Sequence, residues 1–444
     1  MVIGLAHSLK LANLKYLKDA SLVAKIQNCF GVKIHYSETL KEHYKENLCP
    51  EIIHGTNCRN IKRNVNSCQV KFGEAKENGY ITTEKRSVCG VKTNKYTSEK
   101  YEPSIALNWN YTITNYFWYY LFFFGTELGD EIFYSTFIPF WFWNIDGAVG
   151  RRVVLVWAII MTTGQILKDV ICWARPACPP AVRLQIKWSE EYGMPSTHAM
   201  IGISIPFSVV LFTINRYLYP VSIGWTIATL WCTLVCMSRL YLGMHTVLDI
   251  LAGLMLAIAL MIPLVPLVDY TDYYILSNIW ALAILIAISI AVIVYYPCSK
   301  KWTPTRGDTT MVVSVTTGVH LGAWLNYNTG AMIAPTKSPP YDIIWPTYPM
   351  FGCMILRTIL GFSSILVTRA VCKSLCYRIM CAILRINSED LMKSQNYSED
   401  NNKVLVDLVH KYVTCFMIGV NTVYLLPNVF SIIGIERPTF YTEI

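Results

Sequence analysis

From Tyr111 onward the chain alternates long apolar stretches with short polar connections. The stretches fall at about 128–144, 152–168, 199–215, 221–240, 246–268, 279–297, 310–328, 350–371 and 412–434. A helix needs roughly 17–25 mainly apolar residues to cross a bilayer core, and these runs meet or approach that length. Trp141, Trp143, Trp188, Tyr217, Tyr219, Tyr273, Tyr274 and Tyr295 lie at their flanks, as an interfacial aromatic belt requires. Lipid offers the backbone no hydrogen-bond partners, so the runs are expected as helices rather than an open sheet, and no alternating ten-residue strands point to a barrel. The pattern predicts an all-α fold, a polytopic transmembrane helical bundle of about 8–10 membrane helices. One stretch is ambiguous. Residues 113–124 are apolar but short, and Gly125-Thr126-Glu127-Leu128-Gly129-Asp130-Glu131 interrupts them. An extra crossing, an interfacial helix and a re-entrant piece are all compatible with this.

Composition agrees. Of 444 residues, 53% are hydrophobic and 15% charged, against about 25% charged in soluble domains. A soluble or disordered protein is thereby excluded. The charge is unevenly spread: residues 1–110 hold 17 Lys/Arg against 10 Asp/Glu. This segment is expected as a basic, poorly defined tail, with a short amphipathic helix at Leu5 to Leu17 and turn-forming pairs such as Asn78-Gly79. Its charge suits an anionic membrane surface, but a solvated tail is the favoured reading, and no nucleic-acid partner is expected. The division anticipated is 1–110 tail, 111–270 transmembrane core and 271–444 further membrane helices.

The fifteen cysteines form no disulfide or zinc framework. Cys29, Cys49, Cys58, Cys68 and Cys89 in the tail lack metal-ligand spacing. Cys372 and Cys376, beside Lys373 and Arg378, sit where acylation occurs, but surface cysteines of no special role are the favoured reading. Asn110-Tyr111-Thr112 and Asn396-Tyr397-Ser398 are glycosylation sequons.

Charged residues near membrane helices are costly, and function is their default explanation. Three groups stand out: Lys168 followed after six residues by Arg175-Pro176; Pro195-Ser196-Thr197-His198; and Ser238-Arg239, then His245, then Asp249. Counting crossings brings all three to one membrane face. Lys168, Arg175 and Arg239 supply three cations suited to a phosphate dianion, and Ser196 with nearby amides at a helix start adds anion-binding donors. His245 and Asp249, four apart, share one face of a helix. The carboxylate there orients the imidazole and leaves its other nitrogen free to attack phosphorus, while His198 protonates the departing alkoxide. No carboxylate cluster with ligands for Mg²⁺ is evident nearby, so no metal is expected and the cations are assigned its role.

These clusters resemble the signature of the phosphatidic acid phosphatase type 2 superfamily, K-x6-RP, PS-x-H and SR-x5-H-x3-D, with every specified position met. The superfamily's usual second motif has glycine where this chain has Thr197, which adds bulk beside the site. Thr there, in PSTHAM, is similar to the sphingosine-1-phosphate phosphatases, as are FFFGTELGDEIFYSTFIPFWFWN, MPSTHAMIGISIP, SRLYLGMHTVLDILAG and TRGDTT. The resemblance covers about 115–435. It implies a phosphohistidine at His245 with Asp249 as partner, His198 as acid and then base, and a phosphate held by Lys168, Arg175, Ser196, Thr197 and Arg239. It also implies no cofactor, a sphingoid base 1-phosphate substrate in the bilayer, and residence in the endoplasmic reticulum with the site lumenal.

Arg151-Arg152 and Arg216 on the opposite face suit a cytoplasmic side. Rivals are a phosphatase of another lipid phosphate or of a polyprenyl pyrophosphate, and a non-catalytic phospholipid binder or transporter. A vanadium peroxidase, with a similar cage, is a remote reading. Among later polar residues, His320 between Gly318 and Gly322 is expected to pack between helices, Asp308 to cap a helix, and Arg357 to pair inside the bundle or reach a headgroup.

Overall fold

The computed structural model describes residues 14–36, 109–297, 303–333, 335, 337–385 and 401–443. Expectations for residues 5–13, Asn78-Gly79, Cys49, Cys58, Cys68, Cys89 and Asn396 fall outside these residues. The described helices are α1 (Ala20–Cys29), α2 (Tyr116–Glu127), α3 (Glu131–Asn144), α4 (Gly147–Ile171), α5 (Thr197–Thr213), α6 (Val221–Tyr241), α7 (Val247–Ser277), α8 (Ile279–Val294), α9 (Thr305–Asn328), α10 (Tyr348–Leu384), α11 (Asn401–Val420) and α12 (Leu426–Ile433), the last two joined by a π-helical turn at Asn421–Leu425. Strands are short: β1 (Val32–Tyr36) pairs with β2 (Trp109–Ile113), and β3 (Tyr217–Leu218) runs parallel to β4 (Tyr341–Asp342). Residues 14–33 belong to one compact unit with 113–443; the second unit is Ile34–Thr112. In that second unit His35 Nε2 lies 2.9 Å from Thr112 Oγ1.

Polar caps set the helix starts. Asp130 accepts from the Glu131 N–H at 2.6 Å ahead of α3, and Asp146 accepts from Val149 at 3.0 Å ahead of α4. Thr246 and Asp249 form a reciprocal capping box on α7, which satisfies two otherwise orphaned amides.

Side-chain partners reveal the direction of each pass. Asp130 at the start of α3 takes Lys187 from the loop after α4, whereas Asp146, just past its end, takes Arg216 from the loop after α5. α3 therefore crosses the bundle in 14 residues, about 21 Å. α4, α5, α6, α7 and α8 alternate from there. Asp169 near the end of α4 accepts from Tyr296 and Thr303 beyond α8 and from Thr305 of α9, so α9 leaves from the face where α4 ends. Tyr217 then pairs with Tyr341 on the other face, α10 returns, and α11 with α12 makes the last pass. Nine passes result among the described residues, within the 8–10 anticipated.

The expected run at 128–144 forms a single helix, α3, which starts at Glu131 after a turn at Leu128–Asp130, and the ambiguous stretch at 113–124 forms α2. α2 is no extra crossing. Phe30 before it, Phe122 within it and Thr126 near its end all touch the last turn of α6, through Tyr241 and Arg239. It lies at that face with Tyr116, Phe117, Tyr120 and Phe124 exposed.

Among the described residues, five helical segments are long and apolar enough to span a membrane: α4, α6, α7, α10 and 402–433; α5 and α8 are shorter apolar helices. Leu230, Met255, Ile262, Trp280, Ile284 and Leu366 stay exposed on α6, α7, α8 and α10, as lipid-facing side chains do. α9 is different. It is rich in threonine, and Thr305, Thr309, Thr310, Thr316 and Thr317 are buried. Many of these hydroxyls bond to carbonyls of their own helix, as Thr316 does to Val312 at 2.9 Å, and neighbouring helices shield the rest. The core runs through Phe142, Trp143, Val149, Ile160, Met200 and Ile205, all nearly inaccessible. Gly361 of α10 packs directly on the Trp143 indole, leaving no room for a Cβ.

Other expectations resolve here. His320 packs as anticipated: its Nδ1 lies 2.8 Å from the Thr316 carbonyl oxygen, and Gly318 abuts the Phe416 backbone. Arg357 stays inside the bundle, donating to Asn144 and the Ile435 carbonyl. Asp308 does not cap α9, because the N-cap is Pro304 and Asp308 falls within the first turn. Cys372 is partly exposed, whereas Cys376 is buried, so the surface reading is corrected for Cys376.

Candidate active site

The three motif groups converge at one end of the bundle because α4 and α6 end there and α5 and α7 begin there. Lys168 occupies the last turn of α4 and Arg239 the last turn of α6. Arg175 follows α4 in the loop that runs to Ser196. Ser196 caps α5, with Thr197 and His198 as its first residues. His245 precedes the Thr246 cap of α7, and Asp249 lies one turn inside. A hydrogen bond from Ser196 N to Asp249 O at 3.1 Å ties the two helix starts together.

The imidazole of His245 is fully buried. Arg175 Nη1 donates to its Nε2 at 3.3 Å and to the Met244 carbonyl at 2.9 Å. The ring proton is then on Nδ1, which lies 3.9 Å from Asp249 Oδ2 and has no hydrogen-bond partner. Here the expectation is corrected: the two residues do not share a helix face, since His245 lies outside α7 and Asp249 spends Oδ2 on the Thr246 amide at 2.8 Å. Burial, followed by the charges of Arg175, Arg239 and Lys168, holds the His245 imidazole well below the ordinary histidine value. A neutral imidazole is the nucleophilic form, and its Nε2 lone pair, which here accepts from Arg175 Nη1, attacks once that donor turns to a phosphate oxygen. Burial draws Arg175 down to about 10, with Glu191 opposing, so it remains a cation at neutral pH.

The cations differ in how far they are engaged. Lys168 Nζ donates to Thr197 Oγ1 at 2.9 Å and closely to Glu191 Oε2. Arg175 Nε donates to the Glu191 carbonyl at 2.9 Å, and its Nη2 lies 3.8 Å from Glu191 Oε2. Arg239 Nη1 is held by Thr126 Oγ1 at 2.6 Å and Gln185 Oε1 at 2.9 Å, while its Nε and Nη2 are buried without partners. His198 Nε2 is likewise buried and unpartnered, with Trp188 edge-on to the ring at 6.3 Å. Orphaned buried donors cost about 1–3 kcal/mol each, which an anion seated among them would recover. The Ser196 hydroxyl accepts from the Ala199 N–H at 3.5 Å as a helix cap, and the Thr197 hydroxyl is a member of the cage rather than mere bulk beside it.

Sequence reasoning missed Glu191, Thr126 and Gln185. Glu191 adds a carboxylate beside Lys168 and Arg175 that none of the three motif groups contains. Its signal was the Glu190-Glu191 pair five residues ahead of Ser196, in a loop already crowded with basic residues. Thr126 had no signal short of the fold, since it approaches Arg239 from 113 residues away. No group of three or more His, Cys, Asp or Glu positioned to hold a metal occurs among the described residues.

A buried cage of cations around a neutral imidazole, at one end of a membrane bundle, defines a membrane-embedded phosphatase. Comparison with known proteins agrees. Residues 150–273 match the PAP2 superfamily. Sphingosine-1-phosphate phosphatase 1 of Rattus norvegicus is 36% identical over 368 residues, 83% of this chain and 82% of its own length. Sphingosine-1-phosphate phosphatase 2 of Homo sapiens is 33% identical over 329 residues, 73% of this chain and 80% of its own. A dihydrosphingosine 1-phosphate phosphatase of Schizosaccharomyces pombe is 25% identical over 215 residues, 46% and 51% of the two chains. No solved structure matches. The chain belongs to the sphingosine-1-phosphate phosphatases of the PAP2 superfamily, and its activity is that of a lipid phosphate phosphatase.

Proposed function

We propose that the chain hydrolyses a sphingoid base 1-phosphate, sphingosine or dihydrosphingosine 1-phosphate, to the base and inorganic phosphate. The observation that carries the residue roles is the set of buried atoms without partners around His245, above all Nε and Nη2 of Arg239 and Nε2 of His198. In the first step the lone pair of His245 Nε2 attacks phosphorus and the P–O ester bond breaks. His198 gives the alkoxide its proton, and Asp249 stabilises the His245 imidazolium through Nδ1–H. In the second step His198 takes a proton from water as the water oxygen bonds to phosphorus, the P–N bond breaks with its electron pair returning to His245 Nε2, and inorganic phosphate leaves. Lys168, Arg175, Arg239 and the Ser196 and Thr197 hydroxyls hold the phosphate oxygens throughout.

Further parts of the reading concern the setting. Residues 111–270 carry the catalytic core with the three motifs, and 271–444 supply further membrane helices. The protein resides in the endoplasmic reticulum membrane with the site on the lumenal face, where the substrate's chain remains in lipid. Phosphate release from sphingosine 1-phosphate in liposomes containing EDTA tests the proposal. Wild type is expected to turn over, with His245→Ala and His198→Ala each slower by at least about a hundredfold. Absence of release by verified folded protein, or undiminished release from His245→Ala, overturns it.

A further inference from the structure

Glu191 is the one carboxylate that enters the cage from the loop between α4 and α5, and none of the phosphatase motifs includes it. It is anchored twice. Its side chain pairs with Lys168 and faces Arg175 Nη2 at 3.8 Å, while its own carbonyl accepts from Arg175 Nε at 2.9 Å. A carboxylate tied down by main chain and side chain is a standing counter-charge, not a plug that swings out when substrate arrives. The cage is therefore less positive than its Lys168, Arg175 and Arg239 imply, because Glu191 and Asp249 both lie within it.

We infer that Glu191 is a specificity-determining residue that restricts the cage to phosphate monoesters and rejects pyrophosphates, an inference that rests on the phosphatase reading of the site. A monoester carries about −1.5 to −2 charges at pH 7, and a pyrophosphate ester about one more. Each additional substrate charge at about 5 Å from a fixed carboxylate, in an effective dielectric of about 20, is disfavoured on the order of a hundredfold. The penalty falls on the more highly charged substrate and acts through charge, not through contact with the reacting atoms. Lys168 has a second anchor in Thr197, so an isosteric amide at 191 removes the counter-charge with the least change to the cage. Negative selection of this kind separates two substrates that share every attractive contact.

The test measures kcat/KM for sphingosine 1-phosphate and for a polyprenyl pyrophosphate in wild type, Glu191→Gln and Glu191→Asp. Glu191→Gln is expected to raise the pyrophosphate-to-monoester ratio at least tenfold. Glu191→Asp, with its charge drawn back by one methylene, shifts the ratio the same way by a smaller factor. If both activities fall in proportion, Glu191 only holds Lys168 in place and the inference is overturned. Should Glu191→Gln fail to fold, an unchanged ratio in Glu191→Asp overturns it equally. Inorganic phosphate and pyrophosphate, read as shifts of melting temperature in wild type and Glu191→Gln, give the same comparison without turnover. If wild type hydrolyses neither lipid, the phosphatase reading fails, but this binding ratio still decides the role of Glu191. A preference for pyrophosphate that grows in Glu191→Gln supports that role, and an unaltered preference ends it.

Discussion

His245 illustrates how burial equips a side chain for chemistry. In water an imidazole is half protonated near pH 6.5; here burial and three neighbouring cations lower that value substantially. Protonation removes the nucleophilic lone pair, so activity is lost only as pH falls through the lowered value, well under 6.5. The expected outcome is that kcat/KM, once allowance is made for the substrate's own second ionisation near pH 6, does not fall as pH is lowered from 8 to 6.5. A residual acid limb above 6.5 would contradict a neutral His245 in the free enzyme. The residues of the three motifs were legible from their spacing because each motif is local in sequence. Glu191 was not, because its meaning depends on Lys168 lying 23 positions earlier and folding back onto it.

Among the helices, α1 has the least expected role. Its amphipathic spacing, Leu22, Val23, Ile26 and Phe30 behind an Asp19 cap, is weak beside the apolar runs that follow, and the basic residues around it read as tail. In the fold it packs on the last turns of α6. Gln27, almost wholly buried, donates to the carbonyls of Val182 at 2.6 Å and Tyr241 at 2.7 Å, and accepts from the Val182 amide at 2.8 Å. Gly243, at φ +66° and with the Val182 carbonyl against its α-carbon, admits no side chain in the turn beneath. One glutamine thus clamps the loop carrying Arg175 and Glu191 to the turn between Arg239 and His245. Gln27→Ala is expected to lose about 2 kcal/mol of stability and to lower kcat/KM by loosening that loop. The paired readouts are a melting curve and sphingosine 1-phosphate turnover. Unchanged values in both would show that α1 is not part of the site's support.

The nine passes put residues 14–33 and the candidate site at one face and Glu443 at the other. That second face is held by buried ion pairs, Arg151 with Asp272, Arg216 with Asp146 and Arg437 with Glu443, and by Arg152, which joins buried Asp272 to exposed Asp269. The arginines that read from sequence as free cytoplasmic charges are consumed in this network, where removal of one partner of a buried pair costs about 3–5 kcal/mol. No helix separates Asn110 from α2, so with a lumenal site the sequon at Asn110 lies in the lumen and the C-terminus in the cytosol. Glycosylation abolished by Asn110→Gln, together with antibody access to a C-terminal tag when only the plasma membrane is permeabilised, is the expected result. A tag shielded by the reticulum membrane would require an even number of passes.

Hydropathy alone established a polytopic helical bundle, because a helix of sufficient apolar length has few alternatives in lipid. Motif spacing placed Lys168, Arg175, His198, Arg239, His245 and Asp249 at one face, since alternate passes oblige helix ends to share sides. The tertiary structure decided what these residues meet. It set α2 apart from α3 and laid it beside α6, because Leu128–Asp130 turns the chain where Thr126 meets Arg239. It moved His245 out of α7, because Thr246 is the better helix cap. It buried the threonine-rich α9, whose polarity is tolerable only inside other helices. It also set Glu191 against Lys168 and Arg175. Such contacts join residues distant in the chain, and a one-dimensional pattern carries no trace of the loop path that brings them together.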